Sequence, residues 1–239
     1  MLKKTVRLSF FLIVLTICSL AIHASEPTRN VLELAKRSVV VVKTFDRSGR
    51  SLLQGSGFFI SCNRVVTDLH VLEGAERILV EPFRGKSVSA IRISSGDEPI
   101  DLALLETDAT DASITILNLE HSRPLNGDSL FVVSNPRGSN RKVTTGIVDS
   151  FWSFGASGDL MRITAAIAPG SSGGPVLNLR GDVIGIAVSH AESSEDLNFA
   201  IPVESLAALA AKYPGLNRSP NHSDQLLQSF SLLRARQGR

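Results

Sequence analysis

Ile163 to Val176, I-T-A-A-I-A-P-G-S-S-G-G-P-V, sets two serines between glycines in a setting that otherwise reads as buried strand. A serine hydroxyl is a weak nucleophile. An enzyme that uses one holds it in a fixed turn, beside a base and beside backbone N–H groups that can stabilise a developing oxyanion. A G-x-S-G-G turn has the parts for this. Ser172 becomes the nucleophile, the N–H groups of Gly170 and Ser172 line an oxyanion hole, and Ser171 is the spacer between them. The same letters also suit an ordinary Gly/Ser turn between two strands.

The other groups a serine hydrolase needs decide between these readings. Of five histidines, His23 lies in an N-terminal leader pattern, His121 in a polar connecting stretch and His222 in a polar tail. His70 and His190 remain. His70 stands in R-V-V-T-D-L-H-V-L-E-G-A, on the first turn after a strand ending at Thr67, where a scaffold can aim it into a cleft. His190 follows a second strand and is placed to line a pocket. Among the acids, Asp101 opens D-L-A-L-L at the head of a buried strand. A carboxylate there needs a partner, and an imidazole N–H supplies one. Asp68 is closer to His70 in sequence but is expected to point away, as a cap or solvent residue. The resulting chain order is His70, Asp101, Ser172. This matches one of the three unrelated orders in which such a triad occurs, that of chymotrypsin-like double barrels.

Short apolar segments must position these residues. From Ser38-Val-Val-Val-Val-Lys-Thr-Phe45 onward, about a dozen β-branched or alternating runs are broken by Gly, Asn, Pro and Ser, with no helical period between them. That predicts an all-β chain, either a sandwich or a pair of barrels. The hinge of a pair would fall near Asn118 to Asn126, giving barrels over about 38–118 and 126–202. A helix from Thr28 to about Arg37 precedes the strands, and another, Val203 to Lys212, follows them before Tyr213-Pro214-Gly215.

Composition narrows the setting. The chain has 239 residues, 43% of them hydrophobic, enough for a buried core. Lys3, Lys4 and Arg7 followed by an apolar run from Leu8 to Ile22 have the form of a secretory signal peptide, cut after Ala21 or Ala24. Loss of residues 1–24 removes three basic and no acidic residues, so a formal charge of +2 becomes −1. That charge gives no basis for nucleic-acid binding. Cys18 leaves with the leader and Cys62 is left alone, so no internal disulfide is expected, and Cys62 reads as a buried or half-buried spectator. Beyond Pro214 the chain is a polar linker and then Leu226, Leu227, Phe230 and Leu233 at helical spacing among arginines. This tail reads first as a helix packed on the protein or exposed to solvent, and second as a docking segment for a membrane surface or partner.

In family order along 55–202 stand G-S-G-F-F-I-S, V-V-T-D-L-H-V-L-E-G-A, D-L-A-L-L, G-D-S-L-F-V-V-S-N-P-R-G, T-T-G-I-V-D-S, A-A-I-A-P-G-S-S-G-G-P-V and L-N-F-A-I-P. On these motifs the chain resembles trypsin-like serine proteases, and within them the HtrA/Deg type. The resemblance implies two six-stranded β-barrels with the site between them, and His70, Asp101 and Ser172 as the triad. It implies an exported endopeptidase acting on protein or peptide substrates in a bacterial periplasm, with no metal or cofactor. A specificity pocket would be built from Thr164, Ala165, Ala166, Ile167, Val188, Ser189 and His190, small and apolar enough to favour small aliphatic residues before the cut. Only about 37 residues follow Pro202, too few for the PDZ domain that HtrA proteins usually carry, so none is expected in this sequence. A homo-oligomer is left open. The reading from another class is a protease-fold module that binds unfolded or partner proteins without cutting, and a third is an esterase using the same triad.

Overall fold

A computed structural model of the chain describes residues 29–97, 99–109, 114–135, 141–155, 158–189 and 197–211. The expected leader, the tail beyond 211 and His190 lie outside the described residues. Among the described residues there are twelve strands: β1 Val39–Phe45, β2 Ser51–Ser61, β3 Arg64–Asp68, β4 Arg77–Glu81, β5 Val88–Asp97, β6 Leu102–Thr107, β7 Ser129–Ser134, β8 Lys142–Ser153, β9 Asp159–Ile163, β10 Pro175–Asn178, β11 Val183–Val188 and β12 Asn198–Pro202. Helices α1 (Arg29–Ser38) and α2 (Val203–Ala211) flank them, and a 3₁₀ turn spans His70–Leu72. The strands close into two six-stranded barrels, ordered β1-β2-β3-β6-β5-β4 and β10-β11-β12-β9-β8-β7, with antiparallel pairing inside each. Of the two all-β architectures open to the sequence, the pair of barrels is the one formed.

The near-continuous apolar runs follow from burial on both faces. Successive strand residues point to opposite sides. In β6, Leu102 and Leu104 join the cluster between the barrels while Ala103 and Leu105 join the interior of the first, so the whole strand is buried. The cluster between the barrels also takes Val39, Phe58 and Val66 from the first barrel and Phe131, Val133, Leu177, Ile186 and Ile201 from the second. Ala35 of α1 and Leu206 and Leu209 of α2 extend it, so both helices cover its ends. At roughly 1.5–3 kcal/mol for each fully buried large side chain, this shared cluster fixes one barrel against the other. The groove between them is therefore a defined place rather than a hinge.

One expectation is corrected here. Cys62 is exposed, because it occupies the tight turn joining β2 to β3, where no second layer covers it. β9 ends at Ile163, and residues 164–168 run on as irregular chain toward the glycine turn.

Candidate active site

The strand ends that meet between the barrels deliver the residues singled out above. β3 ends at Asp68 and the chain turns at once into the His70–Leu72 turn, whose first residue is His70. Asp101 precedes β6, the strand paired to β3, so the two residues become neighbours across one ladder. Asp101 has φ of 54°, a left-handed conformation uncommon outside glycine but tolerated by Asp and Asn. The strained turn is held by its own carbonyl, which accepts the Leu69 N–H at 3.0 Å. Its carboxylate then grips His70 twice. Oδ1 accepts the His70 backbone N–H at 2.8 Å, and Oδ2 lies 2.7 Å from Nδ1. The imidazole is thereby fixed in position, with Nδ1 engaged and Nε2 directed away from the carboxylate.

The glycine turn comes from the second barrel. Gly170 has φ of 87° and Gly173 of 83°. A Cβ at Gly173 would stand 2.3 Å from the Ser56 carbonyl oxygen and 2.5 Å from Thr67 Oγ1, so only glycine fits where this loop crosses the first barrel. Ser172 is 4% exposed, and its Oγ accepts the Ser189 N–H at 3.3 Å. No hydrogen bond joins His70 to Ser172, a looseness usual before substrate arrives. Among the described residues, the N–H groups of Gly170 and Ser172 have no acceptor, whereas the Ser171 N–H is used by the Ala168 carbonyl at 2.8 Å. Ser171 also donates its hydroxyl to Ser134 Oγ at 3.0 Å, so this residue anchors the loop to β7.

Ser56 was not singled out by the sequence and holds this loop from the other barrel. It is fully buried. Its hydroxyl donates to the Gly170 carbonyl at 2.8 Å and accepts the Asn135 N–H at 3.0 Å, while its backbone N–H donates to the Ser172 carbonyl at 2.8 Å. The hydroxyl therefore sets the tilt of the peptide next to the unpaired Gly170 N–H. We expect Ser56→Ala to lower kcat by about 10- to 100-fold on a peptide substrate, with KM moving less than about threefold, because misaiming one preorganised donor acts on the transition state. Steady-state kinetics check this, and an unchanged kcat would show that the loop keeps its shape without the clamp.

The residues expected to shape a specificity pocket divide. Ala165 is fully buried in the interior of the second barrel, and Val188 lies in the cluster between the barrels, so both side chains serve packing. The Thr164 hydroxyl accepts the Ile147 N–H at 2.9 Å and ties the segment to β8. Ala166 is exposed, Ile167 is half-buried with its N–H held by Asn198 Oδ1 at 3.0 Å, and Ser189 touches the Ser172 hydroxyl. Asp68 departs from its expected place. It is fully buried, because the glycine turn of the second barrel closes over the end of β3.

Comparison with known proteins bears on this arrangement. Residues 55–186 match the family model described as trypsin-like peptidase domain. Over 172 residues the chain is 33% identical to a putative serine protease HhoA of Synechocystis sp., covering 68% of this chain and 43% of that protein. It is 34% identical over 158 residues to a probable periplasmic serine endoprotease DegP-like of Hahella chejuensis, covering 63% of this chain and 33% of that one. The chain thus spans less than half the length of these relatives. Among solved structures, an HtrA-type protease AlgW variant with a tripeptide superposes with a TM-score of 0.68 at 26% identity, over 79% of this chain and 64% of that one.

Proposed function

This chain belongs to the trypsin-like peptidase domain family, and from that membership we propose a serine endopeptidase in which His70, Asp101 and Ser172 act as one catalytic unit. The observation that carries this reading is the double grip of Asp101 on His70, with bonds of 2.8 and 2.7 Å, facing the glycine turn that holds Ser172. His70 takes the proton of Ser172 Oγ as that oxygen attacks the peptide carbonyl. The N–H groups of Gly170 and Ser172 stabilise the oxyanion. His70 then passes the proton to the leaving amine, and the acyl group stays on Ser172. Water attacks that ester with His70 again accepting the proton, and Ser172 regains its hydrogen as the acid leaves. Asp101 keeps the imidazole in the tautomer that has Nε2 free to accept.

The bond from Ser189 N–H to Ser172 Oγ supports a resting state in which the hydroxyl turns to His70 when substrate enters. Among the described residues of the proposed pocket, Thr164, Ala166, Ile167 and Ser189 keep surface open to a substrate, and Ala166 and Ile167 suit small aliphatic side chains. A place in the periplasm is supported by the likeness to the periplasmic DegP-like protein. Among the described residues no helix is long and apolar enough to cross a membrane.

The test is hydrolysis of unfolded casein by the purified chain. Fragments that appear with the native protein and not with Ser172→Ala support the proposal. Casein that is bound and left intact by both proteins would instead favour a binding module on a protease scaffold.

A further inference from the structure

Asp68 is a second carboxyl beside the proposed catalytic pair. It is fully buried, and among the described residues neither of its oxygens has a hydrogen-bond partner. The nearby Gly173 N–H already donates to the Ala187 carbonyl at 2.9 Å. Ligand-type atoms of Asp68, His70 and Asp101 all lie within 4.8 Å of one another. Two ionised carboxylates at this separation, one of them fully buried, would repel strongly. Among the described residues, the neighbouring elements supply no cation to offset them. β2, β11 and the glycine turn contribute no titratable side chain, Asp97 at the end of β5 is acidic, and His70 is already committed to Asp101.

We propose that Asp68 carries a proton in the working enzyme and directs it at the Asp101 carboxylate, directly or across one water, so that the two acids share a single negative charge. Burial pushes the Asp68 carboxyl well above the usual aspartate value of 3.8, and the charge of Asp101 pushes it further. Asp68 is then a positioning residue. Its hydrogen disperses part of the Asp101 charge, which tempers the attraction of Asp101 for a protonated imidazole. This inference rests on the triad reading for its purpose, but its tests need no turnover.

Three readouts on the full chain test it. Infrared difference spectra at neutral pH should show the C=O stretch of a protonated carboxylic acid that is absent from Asp68→Asn. The stability of the two proteins should also diverge with pH. Folded Asp68 keeps its proton where the unfolded chain releases it, so the native state loses stability as pH rises from about 4. Asp68→Asn cannot ionise, and its melting temperature should exceed the parent's at pH 7 and converge with it below about pH 4. Finally, NMR of the His70 imidazole should show its protonation moving to higher pH in Asp68→Ala, which donates nothing to Asp101, and staying near the parent in Asp68→Asn, whose amide can donate. An ionised Asp68 would give the opposite sign, with His70 protonating at lower pH in both variants and no acid band. That result overturns the proposal. So does an acid band that appears only after chelation, since a bound cation would then be balancing the two charges.

Discussion

Ser172→Ala is expected to lower kcat/KM on an unfolded protein substrate by on the order of 10⁶, to the level left by binding and the oxyanion donors alone. The adjacent Ser171 cannot take its place. It is 2% exposed and has its hydroxyl engaged with Ser134 and the Ala168 N–H. The substitution removes a single acceptor, that of the Ser189 N–H at 3.3 Å, and no backbone contact of the loop. The folded state should therefore survive, and circular dichroism with thermal melting should match the parent. A variant that folds and still cuts with a loss below about tenfold would show that another residue is the nucleophile.

Asp101→Asn is expected to cost about 10⁴ in kcat at neutral pH. Both carboxylate oxygens accept in the native site, one from the His70 backbone N–H and one from the Nδ1 side. An amide offers only one acceptor. If its oxygen keeps the backbone N–H, its NH₂ faces Nδ1 and donates to it, which forces the proton onto Nε2. His70 then has no lone pair to take the Ser172 proton. Asparagine is the informative substitution because it tolerates the left-handed backbone at φ 54° as well as aspartate does, whereas alanine would add strain. Single-turnover and steady-state kinetics should place the loss in kcat, with KM changed by a few-fold at most. A loss confined to KM would assign Asp101 to substrate binding instead.

What the sequence made legible has a common physical cause. The strands facing both a barrel interior and the cluster between the barrels are apolar on both sides, so Val39–Val42 and Leu102–Leu105 stand out as continuous runs. Glycines between serines and an acid at the mouth of a buried strand are costly unless used, and these drew attention to Ser172 and Asp101. Ser56 and Asp68 carried no such local mark. Their roles arise where a loop more than 100 residues later folds over β2 and β3, and only the closed pair of barrels reveals that contact. The same long-range closure decided the residues between Thr164 and Ile167. A run of small residues reads as a pocket wall, but the irregular chain that follows β9 places Ala165 in the interior of the second barrel. Cys62 misled in the opposite direction, because a residue type usually buried here sits on a two-strand turn with nothing above it.

The most direct measurement is fluorophosphonate labelling of the purified chain, with mass spectrometry of the modified peptide. The expected result is a single adduct on Ser172 that is lost in His70→Ala, because the phosphonate reacts only with a hydroxyl activated by a positioned base. Absence of any adduct, both alone and with unfolded substrate present, would contradict the proposal that His70, Asp101 and Ser172 form a working catalytic unit.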